Sequence, residues 1–343
     1  MRTPRWRHRS EFPASNGGWS VLYPLFGYCR DGEEVVRRHL VRGGAINPVL
    51  VSSPSTHGRY LPPSFLDADR ILARVQRDVR SLFRMLIAAT ALGSLIFYWA
   101  TDLHGAIMFL VVFGFFCSFV GFDVRMQRED RSTIAERWMF YGWCFSRGPT
   151  YALALLAFML SVGGLQLLGA ALLGSDEAYR RAFGLIYQEL PHSGEWWRLA
   201  TAPLLHTSVE HWLSNTMIGV GLMTIYGPVM GNRCVAAIAI AAPAAFATVL
   251  VVAWSFSLDT DGVIGISGGI AGMMGCFLTA NLREAASFPR LYAVITLFVA
   301  GSLLFVVAYF FSVTSFVVHL AGFGFGALFG SLIDPFSPQF HRA

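Results

Sequence analysis

The sequence predicts an all-α polytopic membrane protein, and three observations predict it. Apolar residues make up 55% of the chain and charged residues 14%, with a mean hydropathy of +0.52, well outside the balance of a soluble domain. Uncharged runs long enough to cross roughly 30 Å of hydrocarbon, which takes about 20 helical residues, recur between residues 85 and 333. All 26 basic residues are arginines, and they segregate to alternate connections between those runs. The same composition excludes a disordered chain, a collagen-like chain and a disulfide scaffold. The five cysteines are scattered, form no C-x-x-C pair and read as buried, inert thiols.

Residues 1–84 hold 14 of the arginines and are expected to form a cytoplasmic N-terminal region, an extension with little sign of a large core. Its charged stretch Asp67 to Arg84 carries Ile71, Leu72 and Val75 as a short amphipathic face. No secretory-type apolar stretch precedes Arg80, so no cleaved signal peptide is expected. Residues 85–148 are assigned to two additional transmembrane helices, 85–101 and 105–122, with a cytoplasmic loop. A core of six helices, residues 149–334, follows, with runs at 149–174, 212–232, 234–258, 262–282 and 291–333. The last run has no Asp, Glu or Arg and would be on the order of 65 Å long as one helix. It therefore counts as two helices with a turn near Phe311 to Ser315. Residues 335–343 form a cytoplasmic tail.

Arginine counting orients the chain. With the N-terminus cytoplasmic, 23 of the 26 arginines are inside, and only Arg180, Arg181 and Arg198 are outside, beside Asp176, Glu177, Glu189 and Glu195. The exclusive use of arginine fits a GC-rich bacterial genome, which makes a bacterial inner membrane the expected location.

Polar residues inside apolar spans are costly and mark function by default. Three places stand out. In the first, Trp197-Arg198 leads to His206, Glu210, His211 and Asn215, and His211 and Asn215 lie four apart on one helix face. In the second, Ser267 sits in the glycine-rich turn Gly265-Ile-Ser267-Gly268-Gly269, which opens an apolar helix whose free amides favour developing negative charge. In the third, His319 precedes Gly322, Gly326 and Gly330, a ladder that lets two helix backbones approach. Taken singly, a membrane serine or histidine is usually a helix–helix hydrogen bond, and glycine ladders are ordinary packing. Together they supply a nucleophile, Ser267, and a general base, His319. His211, Asn215 and the Ser267 amide supply donors for an oxyanion.

Rival chemistries fail on spacing. A membrane zinc protease needs His-Glu-x-x-His, whereas His206 and His211 are five apart, and an aspartyl protease needs two aspartates within spans, where none lies. Gly265-x-Ser267-x-Gly269 also fits the nucleophile elbow of soluble hydrolases, but that motif requires a strand, and nothing in the sequence reads as strands. A transporter would carry an internal repeat or paired broken helices, and no convincing repeat is visible.

At these residues the chain resembles the rhomboid family of intramembrane serine proteases. The resemblance rests on an ordered set: Trp197-Arg198; His206-x4-His211-x3-Asn215; Gly265-x-Ser267-Gly268; and His319-x2-Gly322-x3-Gly326. It covers residues 149–334 and implies a six-helix rhomboid-like core preceded by two extra transmembrane helices. It further implies a serine-type endopeptidase that cleaves transmembrane segments through an acyl-enzyme. In that reading Ser267 and His319 are catalytic, His211 and Asn215 hold the oxyanion, and His206, Gly265 and Gly268 support the site. The implied partners are transmembrane protein substrates and the lipid bilayer, with no nucleic acid, metal or cofactor. Ala271 stands where many bacterial members carry a tyrosine stacked on the catalytic histidine. No acid follows Glu210 until Asp259, where many members have a glutamate late in the second core helix. The alternative is a catalytically silent relative that binds transmembrane helices.

Overall fold

The computed structural model describes residues 4–8, 11–23, 28–42, 49–61, 63, 66, 68–100, 117, 131–185, 190–256, 264–290, 292–310, 313–334, 336 and 340. The chain divides into two units, residues 1–147 with 285–298 and 341–343, and residues 148–284 with 299–340.

In the first unit, strands β1 (Ser20–Tyr23), β2 (Tyr28–Asp31) and β3 (Leu50–Ser52) form an antiparallel sheet in the order β2-β1-β3. Val21 pairs with Arg30 on one side and Val51 on the other. Helix α1 (Glu33–Arg42) adds Val36 to a buried cluster of Val21, Val49 and Val51. The expectation that nothing reads as strands is corrected here. Strands of three or four residues are too short to show period-two alternation, and their core closes only when residues about 30 positions apart pair.

Helix α2 (Ala68–Ala100) joins the expected amphipathic stretch and the expected span 85–101 in one element. The expected span 105–122 lies outside the described residues apart from Cys117, which is helical and buried. Helix α3 (Arg131–Leu173) runs through Pro149 without ending; a proline removes one ladder bond but need not stop a helix held on both sides. Around its start, the fully buried Trp6 meets Phe140 edge to face at 5.8 Å and donates its indole N–H to the Ser287 carbonyl at 2.9 Å. Phe140 also meets Phe288 and Tyr292, and Arg147 donates to the Glu11 carbonyl at 2.7 Å.

The second unit holds α4 (Asp176–Phe183), two four-residue helical turns at Leu190–Ser193 and Arg198–Thr201, α5 (Val209–Met230), α6 (Arg233–Phe256), α7 (Ser267–Arg283) and α9 (Val313–Leu332). Helix α8 (Tyr292–Phe310) begins among the residues of the first unit and ends among those of the second. The expected 291–333 double span is thus two helices, α8 and α9. Segments Met139–Leu173, Arg233–Phe256 and Val313–Leu332 are long and apolar enough to cross a membrane, and Phe83–Ile96 and Tyr292–Ser302 are shorter apolar helices. Leu160, Leu167, Leu172, Val235, Leu320 and Leu328 point outward and exposed, as they do where lipid, not water, is the neighbour.

Helices α6, α7 and α9 pack on one another, and glycine decides how closely. A Cβ on Gly322 would overlap the Gly268 carbonyl, and one on Gly326 the Gly272 carbonyl. One rung further, a Cβ on Gly330 would come within 3.0 Å of the Cys276 carbonyl. The i, i+4 spacing on both helices keeps these rungs on facing sides. Thr279 bridges the seam, donating to the carbonyls of Gly275 and Ala327, both at 3.1 Å. Arg283 caps α9 through the carbonyls of Gly330 and Ile333, satisfying acceptors that a helix C-terminus leaves open.

Candidate active site

Ser267 is the first residue of α7, and Ile266 before it provides no side-chain cap. The opening amides of α7 are therefore free to meet an acceptor beside the hydroxyl. The glycine seam brings α9 alongside, and a small cavity of about 80 Å³ is lined by Ser267, His319, Asn215, Ala271 and Phe323. Ala300 and Leu304 of α8 close another side. Such a space holds water or a small side chain, not a helix.

His319 is oriented by its own helix: Nδ1 lies 2.6 Å from the Ser315 carbonyl. A carbonyl only accepts, so Nδ1 carries the proton and Nε2 keeps the lone pair that a general base needs. Among the described residues no carboxylate hydrogen-bonds His319. Ser267 and His319 share the cavity without a direct hydrogen bond between them, and such bonds often tighten only when substrate is bound.

Asn215 on α5 is 6% exposed, and its Nδ2 has no hydrogen-bond partner among the described residues. A buried donor left open is rare, and Asn215 lines the same cavity as Ser267 and His319. His211, one turn earlier, turns Nδ1 to the Thr207 hydroxyl at 3.1 Å. Its other edge faces Gly265, where a Cβ would come within 2.7 Å of Cε1 and 2.9 Å of Nε2. Gly265 also has φ +120°, so both its backbone conformation and the histidine ring beside it demand glycine.

His206 lies before α5, is 2% exposed, and stacks edge to face on His211 at 5.2 Å between ring centres. Burial, and then the neighbouring His211, pull it down to about 4. Gly268 lies in the seam, where a Cβ would come within 2.7 Å of Val318 and 3.3 Å of Ala245. The buried Arg198 fastens the preceding segment, reaching the carbonyls of Arg181 at 2.6 Å and Gly184 at 2.8 Å and pairing with Glu195 at 2.8 Å. The half-exposed Trp197 lies under its guanidinium.

The sequence reading missed three residues. Gln166 of α3 and Arg180 hold the backbone of His206 and Thr207 by hydrogen bonds, and Asp176 links the two side chains. Gln166 carried a signal, as the one amide side chain in the run 149–174. Asp176 and Arg180 read as ordinary loop charges.

Residues 193–335 match the rhomboid domain family model, a stretch that begins before Trp197 and ends after His319. The matched stretch covers less than half of the chain and is what the chain shares with rhomboid domains. A comparison with curated proteins finds no match.

Proposed function

We propose that the protein is an intramembrane serine endopeptidase that cleaves transmembrane segments of other membrane proteins. The observation that carries this reading is one cavity lined by the Ser267 hydroxyl, by His319 with its Nε2 left as a base, and by Asn215 with an unpaired donor. The reading includes a six-helix core over residues 149–334, two preceding transmembrane helices and a cytoplasmic N-terminus, supported by the arginine distribution.

The chemistry follows from those atoms. Ser267 Oγ bonds to the scissile carbonyl carbon while its proton passes to His319 Nε2. The oxyanion that forms is held by Asn215 Nδ2, by His211 Nε2 and by the Ser267 amide. The C–N bond then breaks as Nε2 returns the proton to the leaving amine. Water gives a proton to Nε2 as its oxygen bonds to the ester carbon; the C–Oγ bond then breaks as Nε2 returns that proton to Ser267 Oγ, releasing the acid. A helical substrate hides its carbonyls in hydrogen bonds, so the cleaved segment must unwind and favours small, helix-weakening residues.

A second reading, a silent relative that binds transmembrane helices, is favoured by Ala271 and by the missing direct bond between Ser267 and His319. Labelling of the detergent-purified chain by a fluorophosphonate probe separates the two. The protease reading expects labelling of the wild type that vanishes in Ser267→Ala and His319→Ala. A folded wild type that does not label returns the weight to binding alone.

A further inference from the structure

His211 can help an oxyanion only if the proton of its neutral ring is on Nε2, the edge that faces Gly265. A neutral imidazole carries one proton, and the partner of the other nitrogen decides where it sits. That partner is the Thr207 hydroxyl, 3.1 Å from Nδ1. A hydroxyl can donate or accept. If it accepts from Nδ1, Nε2 is bare and repels an oxyanion; if it donates, Nε2 is a donor.

Thr207 is itself exposed, and a solvated hydroxyl on a mobile backbone would not hold a ring against water. Its backbone, however, is fixed from two sides. The Gln166 side-chain amide brackets the preceding residue, accepting from the His206 N–H at 3.0 Å and donating to the His206 carbonyl at 2.8 Å. Gln166 also donates to Asp176 at 2.9 Å, and Asp176 pairs with Arg180 at 3.0 Å. Arg180 in turn donates to the Thr207 carbonyl itself at 2.6 Å. Three backbone groups on two adjacent residues are thus held by two side chains, Gln166 and Arg180, which Asp176 ties together. Gln166, Asp176 and Arg180 all precede residue 193, outside the stretch that matches the rhomboid domain.

We propose that Thr207 is a positioning residue of the oxyanion site: its hydroxyl donates to His211 Nδ1 and keeps the His211 proton on Nε2, while Gln166 and Arg180 hold its backbone for that task. The role rests on the protease reading for its consequence, but the tautomer is a property of the resting protein and is measured without substrate.

The test is ¹⁵N NMR of the full chain with labelled histidine in lipid nanodiscs, with the His211 resonances assigned from His211→Asn. The wild type is expected to show His211 protonated at Nε2, and Thr207→Val to show a mixture of tautomers, with Thr207→Ser restoring the wild-type pattern. The fluorophosphonate labelling rate is expected to fall by roughly tenfold in Thr207→Val, less than the 10²-fold or more of losing a donor outright, and to recover in Thr207→Ser. A wild type protonated at Nδ1, or a tautomer unchanged in Thr207→Val, overturns the proposal. A correct tautomer pattern in a wild type that never labels upholds the positioning role and sinks the protease reading instead.

Discussion

The first unit closes around large side chains, with Trp6 wholly buried between Phe140 and the Ser287 carbonyl, whereas the α7–α9 seam of the second closes around glycines whose missing side chains let carbonyls take their place. The difference has a physical origin. In water, burying aromatic surface is itself the driving force, about 25 cal/mol per Å². In lipid that force is absent between helices, and close backbone approach supplies dispersion contacts instead. Removing volume should therefore damage the first unit, and adding volume should damage the second.

Gly326→Val tests the second half of that statement and carries the largest effect. Its Cβ would overlap the Gly272 backbone, which cannot swing aside as a side chain can, so no folded protein is expected in size-exclusion chromatography of the detergent extract. Gly324, two residues earlier, has nothing within 4 Å of where its Cβ would lie. Gly324→Ala should fold and gain up to about 1 kcal/mol from helix propensity. Equal damage from both would break the contrast, since it would make glycine necessary along all of α9 and not only at the seam.

Trp6→Ala tests the first half. Truncating a fully buried tryptophan costs about 3–5 kcal/mol, and hydrogen exchange should rise across the start of α3 and around Ser287, where Trp6 makes its contacts. Probe labelling of Ser267 in the same variant sharpens the comparison: retained labelling means the two units keep their folds independently, and lost labelling means they do not.

The smallest effect is a slope with pH. His206 stays neutral in the folded protein down to about 4, against an ordinary value of 6.5. The unfolded chain therefore takes up a proton at His206 first, so stability is full above about pH 6.5, falls as the pH drops towards 4, and levels off below. His206→Gln should flatten that part of the melting-temperature profile. An unchanged slope would assign the titration to another group.

The site was legible in the sequence to an uneven degree. Ser267, His319, His211 and Asn215 stood out because polar groups in apolar runs are conspicuous one at a time, and helical spacing already puts His211 and Asn215 on one face. The Ser315 carbonyl that sets the His319 tautomer was also within reach, since it is four residues away on the same helix. Thr207, Asp176 and Arg180 were not, because each looks like a common loop residue until its partner is known. The strands of the N-terminal region escaped for the same reason, being shorter than the window in which alternation can be read.

Apolar run length, charge placement and the four ordered motifs are local properties, written residue by residue, and from them the sequence alone determined a helical membrane protein and the residue types of its site. Only the tertiary structure decided that Gln166 holds His206, that Gly326 rests on Gly272, and that Ser267 and His319 share a cavity. Each of these is a contact between residues 40 or more positions apart, and such contacts depend on how the whole chain packs rather than on any stretch of it.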